Sequence, residues 1–175
     1  MHNKQPKIIV LTGPESTGKS TLSKELSIFY NADLVSEYAR EYIESIDRPY
    51  LLKDVNVIAK QQVNGYKKAL LSIKPMVVFD TFLIITKIWY REVFGFVPEW
   101  IDDAIVRADV DLHLLCYPDT EWIEDSVREN KHKRMYLFEQ YKNELEYYNF
   151  DYEIVKGQGE ERLKAAINKI NQKLQ

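Results

Sequence analysis

The stretch from Ile8 to Thr21, IIVLTGPESTGKST, leaves little freedom to whatever folds around it. Ile8 to Leu11 reads as a buried strand, Gly13 and Gly18 bracket a turn, and a helical pattern begins at Lys19. This is the G-x-x-x-x-G-K-S pattern of a P-loop, in the strand–turn–helix setting that gives the pattern meaning. Glycines let the backbone turn its N–H groups onto phosphate oxygens with no Cβ in the way. The helix start adds unpaired N–H groups and a positive dipole end. Lys19 then supplies a point charge for the β- and γ-phosphates, and the Ser20 hydroxyl a ligand for Mg²⁺. The alternative, a strand-to-helix turn that binds nothing, leaves the Gly-Lys-Ser run unexplained. A bound nucleoside triphosphate is expected.

The rest of the chain repeats the strand–helix alternation. Strands are expected at 7–12, 34–35, 76–79, 110–116 and 152–155. Helices are expected at 19–29, from about 37 to 46, at 53–73 up to Pro75, at 84–94, at 100–108, at 134–148 and over the C-terminal stretch from 163. Short, continuously apolar strands between helices mean a parallel sheet covered on both faces. The expected fold is α/β: a three-layer P-loop sandwich around five parallel strands, one domain over 1–175. Ligands should bind at the carboxyl ends of the strands.

Three groups of polar residues fall on that rim. Asp80 ends the apolar run VVFD, where P-loop enzymes place a carboxylate for Mg²⁺; a helix cap is the alternative. Glu37 and Arg40 follow the second strand. There Glu37 is placed to act as a general base and Arg40 to hold a phosphate or a substrate hydroxyl; an i,i+3 surface ion pair would look the same. Arg128, Lys131, Lys133 and Arg134 lie in the charged stretch 120–134, which reads as a lid of arginines closing over a transferred phosphate or as a solvated helix of mixed charge.

Composition narrows the field. The chain has 175 residues, 45% of them hydrophobic, which is ample for a core, and its net charge of −3 argues against a nucleic-acid surface. One cysteine, Cys116, sits in an apolar run and reads as a buried thiol. His2, His113 and His132 are dispersed, so no metal-ligating histidine set is expected. The polar start MHNKQPK does not read as a signal peptide, and the apolar region from Met76 to Tyr90 is broken by Asp80, Thr81 and Lys87. No membrane association and a cytoplasmic location are the expectations.

The blocks GPESTGKS (13–20), EYAREY (37–42), FDT (79–81), TKIW (86–89), PDTEW (118–122) and SVRE (126–129) together resemble the ribosylnicotinamide kinase domain of NadR-type proteins, in order and spacing across nearly the whole chain. The resemblance implies a nucleoside/nucleotide-kinase-like fold with a small lid. It implies phosphorylation of the 5′-hydroxyl of nicotinamide riboside by ATP with Mg²⁺, giving nicotinamide mononucleotide. It assigns Gly13, Glu15, Ser16, Thr17, Gly18, Lys19, Ser20 and Thr21 to ATP, and Asp80 to Mg²⁺ or the reacting hydroxyl. Glu37 and Arg40 would face the substrate, and Arg128 and Arg134 would act from the lid. Tyr66 would stack on the nicotinamide ring. Met1 lies a few residues before the first strand, so only the kinase part is expected here, without adenylyl transfer or DNA-linked repression. The departures are Phe82 after FDT and Ser36 before EYAR. Two rival functions remain in view: a kinase of another nucleoside or small acceptor, and a nucleotide-dependent switch with no small-molecule acceptor.

Overall fold

The computed structural model describes residues 5–125 and 128–174. Ser126 and Val127 of the SVRE block, together with His2, lie outside the described residues.

Five strands, β1 (Lys7–Thr12), β2 (Asp33–Val35), β3 (Met76–Asp80), β4 (Leu112–Cys116) and β5 (Tyr152–Val155), form one sheet in the order β2-β3-β1-β4-β5. Every neighbouring pair is parallel. The helices are α1 (Lys19–Phe29), α2 (Tyr38–Ser45), α3 (Leu52–Ala69), α4 (Leu83–Trp89), α5 (Glu99–Arg107), α6 (Arg134–Tyr147) and α7 (Gly159–Leu174). The expected five-stranded parallel sandwich is therefore the fold observed.

Strand alternation divides the core in two. Ile8 and Val10 of β1 and Val77 and Phe79 of β3 face a layer built from α3, α4, α5 and α6. Ile9, Leu11, Val78 and Leu114 face α1 and α7 on the opposite side. The central strands β1, β3 and β4 are covered on both faces, which is why their sequences are largely apolar without alternation. Full burial of side chains such as Ile58 and Leu26 contributes about 1.5–3 kcal/mol each. His113 is also buried, its ring stacked 5.4 Å from that of Phe150, and burial pushes its pKa down to about 3, so it sits in the sheet as a neutral ring.

Local chemistry accounts for the starts of α3 and α5. Asp54 accepts the Leu51 N–H at 2.7 Å and two Arg48 guanidinium bonds at 2.7 and 2.8 Å, which fixes how the chain enters α3. Arg48 holds that carboxyl well below the usual range. Pro98 precedes α5, with Glu99 in its first turn and Arg107 in its last, as the helix dipole favours.

Two expected boundaries fail. The helix over 53–73 stops at Ala69: Leu70 to Ser72 close in turns, and Leu71 and Ile73 are 81% and 96% exposed. Their apolar period continues past the end of the sheet, where there is nothing to pack against. The helix over 84–94 is α-helical only to Trp89. From Tyr90 to Phe94 it widens into a π-helical turn, a departure that periodicity does not detect. The widening lets Tyr90 bury completely, its hydroxyl donating to Asn56 at 2.7 Å.

Candidate active site

All the strand ends that matter converge on one rim. The parallel registers set Asp80 of β3 beside Leu11 of β1, and Val35 of β2 beside Phe79, so Glu37 leaves β2 on the rim where β1 opens into the P-loop. A cleft of about 230 Å³ lies there. Gly13, Glu15 and Lys19 line its P-loop end, Glu37, Arg40 and Thr81 its middle, and Arg128 and Asn130 its roof. Tyr50, Ile85, Trp89 and Tyr141 give it apolar and aromatic surface, beside the polar Gln62, Thr86 and Glu92. The Tyr50 and Trp89 rings meet edge to face, 5.0 Å apart.

The P-loop takes its shape from backbone that ordinary residues avoid: Gly13 has φ 148°, Ser16 55° and Gly18 74°. Its side chains are largely committed to building the loop. Thr17 Oγ1 donates to Pro14 O at 2.9 Å, and Lys19 Nζ donates to the same carbonyl at 2.7 Å. Ser16 Oγ donates to Glu121 O at 3.1 Å and accepts the Ile123 N–H at 2.9 Å. Glu15 accepts from residues 129 and 130. For Glu15, Ser16 and Thr17, then, what remains for a phosphate is main-chain N–H. Lys19 lines the cleft, and Ser20 and Thr21 are exposed in the first turn of α1.

Asp80 is 4% exposed, and its Oδ1 has no hydrogen-bond partner. A buried, unpartnered carboxylate oxygen is costly unless something else binds it. Its unpartnered oxygen and a hydroxyl such as that of Ser20 would make an all-oxygen donor set, the kind a hard divalent cation prefers. Among the described residues no cluster of three acidic, histidine or cysteine side chains forms a cage. Mg²⁺ binding through one carboxylate, a hydroxyl, water and phosphate fits such a set. Thr81, next in the chain, lines the cleft at φ 72°. A β-branched residue held there costs about 1–3 kcal/mol, a strain that concentrates at functional sites.

Glu37 is half-buried. Burial raises its carboxyl above the ordinary value, Lys19 opposes that shift, Asp80 adds to it, and Arg40 opposes it. Glu37 thus senses the charges of Lys19, Asp80 and Arg40 around it. The ion-pair reading of Glu37 and Arg40 holds, with Arg40 Nε 3.8 Å from Glu37 and its Nη1 3.1 Å from Asp125, and both residues line the cleft.

Among its described residues, the stretch 120–134 is not a solvated helix. Its described part is irregular up to a 3₁₀ turn at Lys131–Lys133, and it folds over the P-loop. Arg128 lines the cleft with its Nε 3.0 Å from Asp125, the carboxylate that also holds Arg40. Arg134 departs from its expected role. It donates to Thr120 O at 2.8 Å and to Ser16 O and Thr120 Oγ1, each at 3.0 Å, so it braces the loop and does not line the cleft. Tyr66 departs as well. Its ring packs beside Phe82, its hydroxyl accepts the Asp109 N–H at 2.8 Å, and it is absent from the cleft wall. Core packing on α3 claims that side chain, and Trp89 and Tyr50 supply the aromatic surface instead.

One important residue gave little warning. Arg162 of α7, 4% exposed, donates to Gly157 O at 2.6 Å, to Tyr117 O at 3.0 Å and to Thr17 O, and pairs with Asp119. It ties the P-loop to the ends of β4 and β5. Its signal was present in the sequence: an arginine on the stripe it shares with Ala166 and Ile170, where the helix should be apolar.

Comparisons agree with this geometry. The chain superposes on NadR bound to NR with a TM-score of 0.82 at 25% identity, over 98% of this chain and 52% of that one. A second NadR structure, with NAD and AMP-PNP, gives 0.76 at 21% identity, over 98% and 50%. The thymidylate kinase of Ehrlichia chaffeensis shares the fold at 0.66 and 17% identity, over 98% and 100%. The chain spans about half the length of the NadR chains it matches. The resemblance carried by the sequence blocks thus has a structural counterpart. A family model described as an AAA domain matches residues 8–162, and the chain belongs to that family.

Proposed function

We propose that this protein is an ATP-dependent kinase of a nucleoside, with nicotinamide riboside as the acceptor and its 5′-hydroxyl as the nucleophile. The observation that carries the reading is the cleft itself, in which Lys19, Glu37 and Arg128 share a chamber with the apolar and aromatic side chains of Tyr50, Ile85, Trp89 and Tyr141. A nucleotide switch has no use for such a chamber beside its phosphates. The likeness to NadR bound to NR supports nicotinamide riboside over other nucleosides. In this reading the whole chain is one kinase domain working in the cytoplasm; among the described residues no helix is long and apolar enough to cross a membrane.

The division of labour follows from position. P-loop N–H groups and Lys19 bind the β- and γ-phosphates of ATP. Ser20 and Asp80 would hold Mg²⁺, which neutralises phosphate charge when bound. Glu37, with a carboxyl raised by burial, orients the 5′-hydroxyl and accepts its proton. Arg40 steadies Glu37, and Arg128 meets the charge that spreads over the transferred group. Tyr50 and Trp89 offer ring surface to a flat heterocycle. The roof over the P-loop keeps water from the γ-phosphate.

The test is ADP release from Mg-ATP with no acceptor and with single nucleosides, nicotinamide riboside among them. Saturable stimulation by nicotinamide riboside alone is the expected outcome. Stimulation by another nucleoside replaces the substrate and keeps the kinase. Turnover indifferent to every acceptor overturns the kinase reading.

A further inference from the structure

A carboxylate inside a phosphate-binding loop is electrostatically misplaced, because it repels the anion the loop is built to hold. Glu15 is such a residue, and its surroundings show where its charge goes. Its Oε2 accepts the Glu129 N–H at 3.1 Å and the Asn130 N–H at 2.9 Å, and its Oε1 accepts from the Asn130 side-chain amide at 3.1 Å. Three donors from two consecutive residues turn the carboxylate out of the loop and towards the roof of the cleft.

The residue next to this pair is Arg128. Its guanidinium is held from the other side by Asp125 and by Ile123 O, while the Ile123 N–H donates to Ser16 Oγ at 2.9 Å. Arg128 therefore hangs between two attachments to the P-loop, one through Glu15 and one through Ser16.

We propose that Glu15 is a positioning residue: it latches residues 129–130 onto the P-loop and thereby sets where the Arg128 guanidinium stands during phosphoryl transfer. The inference rests on the kinase reading above. A charge-assisted bond from a carboxylate is about twice as strong as a neutral one, and here one carboxylate collects three. The attachment is to the loop that grips the phosphates, so the arginine moves with the group it serves. Misplacing a catalytic group by about 1 Å can cost about a hundredfold in rate, so a latch at this point governs kcat more than binding.

The experiment compares Glu15→Ala, Glu15→Gln, Asn130→Ala and the double variant Glu15→Ala/Asn130→Ala. Acceptor-dependent ADP release and amide hydrogen exchange are followed in the full chain. Glu15→Ala should lower kcat by about a hundredfold with the KM for ATP changed less than about threefold. Amide exchange at Glu129 and Asn130 should speed up by about tenfold or more. Glu15→Gln, which keeps one acceptor oxygen, should recover part of both. The double variant should be no worse than Glu15→Ala, because both changes open the same latch. An unchanged kcat in Glu15→Ala overturns the proposal. So does a loss confined to ATP affinity that multiplies with that of Asn130→Ala, since Glu15 would then serve the nucleotide directly. If the unaltered protein transfers phosphate to no acceptor, the kinase reading fails. The exchange rates at 129–130 still decide the latch: faster exchange in Glu15→Ala keeps it, and unchanged exchange removes it.

Discussion

A β-carbon built on Gly13 would stand 2.8 Å from the carbonyl oxygen of Cys116 and 3.1 Å from its Cβ. Cys116 ends β4, fully buried, with burial pushing its thiol up to about 11, so the contact is structural and the sulfur inert. The close approach lets the P-loop lie directly over the end of β4. Gly13→Ala should therefore lose about 1–3 kcal/mol to overpacking, and more through φ 148°, read from urea denaturation. Gly18→Ala meets nothing within 4 Å and should lose only about 1–2 kcal/mol for its left-handed backbone. Equal losses would mean that contact with β4 is not what fixes Gly13.

Glu37 sets activity against stability. Its folded pKa lies above its unfolded one because burial disfavours the charge. Between those two values the folded state binds the proton that the unfolded state has released, so the contribution of Glu37 to stability falls as pH rises through that window. Glu37→Gln removes the effect. Its melting temperature should match that of the unaltered protein below about pH 4 and exceed it progressively above. Turnover should meanwhile drop by about 10²–10⁴-fold, the worth of a general base. The acid limb of the kcat/KM profile should lie above the ordinary carboxylate range. If Asp80→Asn alone caused the loss of turnover, the base would be Asp80.

The parts that were legible in the sequence are those where one residue type has one use. Gly13, Gly18, Lys19 and Ser20 name a loop, and VVFD names a strand with a carboxylate at its end. The buried central strands β1, β3 and β4 follow from apolar runs with little alternation. What stayed hidden depends on where side chains point after folding. Tyr66 and Trp89 both sit on apolar helical stripes, and only the π-helical turn after Trp89 and the packing of Tyr66 beside Phe82 distinguish wall from core. Arg128 and Arg134 sit six positions apart in the same charged stretch, yet one faces the cleft and the other grips the Ser16 and Thr120 carbonyls. Charge count does not encode that difference; a folded path over the P-loop does.

Beyond the cleft, Lys87 is a purely architectural charge. Nζ lies 2.7 Å from Glu144 and 2.9 Å from Asp102 and donates to the Tyr148 hydroxyl at 2.8 Å, welding α4 to α5 and α6. Burial alone would lower its pKa; Glu144, Tyr148 and Asp102 more than offset that and hold it above the lysine range. Its contribution is then complete below that range and lost only as strongly alkaline pH passes the raised value. Lys87→Met leaves Glu144 paired with Arg91 alone and should cost about 1.5–3 kcal/mol in denaturant titration. Lys87→Met/Glu144→Leu should regain part of that. A loss within about 0.5 kcal/mol would show that the pair behaves like a surface bridge.

Trp89 separates acceptor binding from nucleotide binding. It lines the cleft edge to face with Tyr50 and shares the wall with Ile85 and Tyr141. A ring face there gains from a flat heterocycle by about 0.5–1.5 kcal/mol beyond area burial. Trp89→Leu keeps the wall apolar and removes the face, so the KM for nicotinamide riboside should rise by up to about tenfold while the KM for ATP stays put. Trp89→Phe should recover most of the affinity, since a ring is what it restores. A parallel rise in both KM values would mean that Trp89 shapes the cleft as a whole. An unchanged acceptor KM in Trp89→Leu would move the acceptor's ring away from this wall, to the Tyr141 side, while leaving Glu37 and the phosphate end as they are. The two KM values, measured on one protein in one assay, separate these three cases.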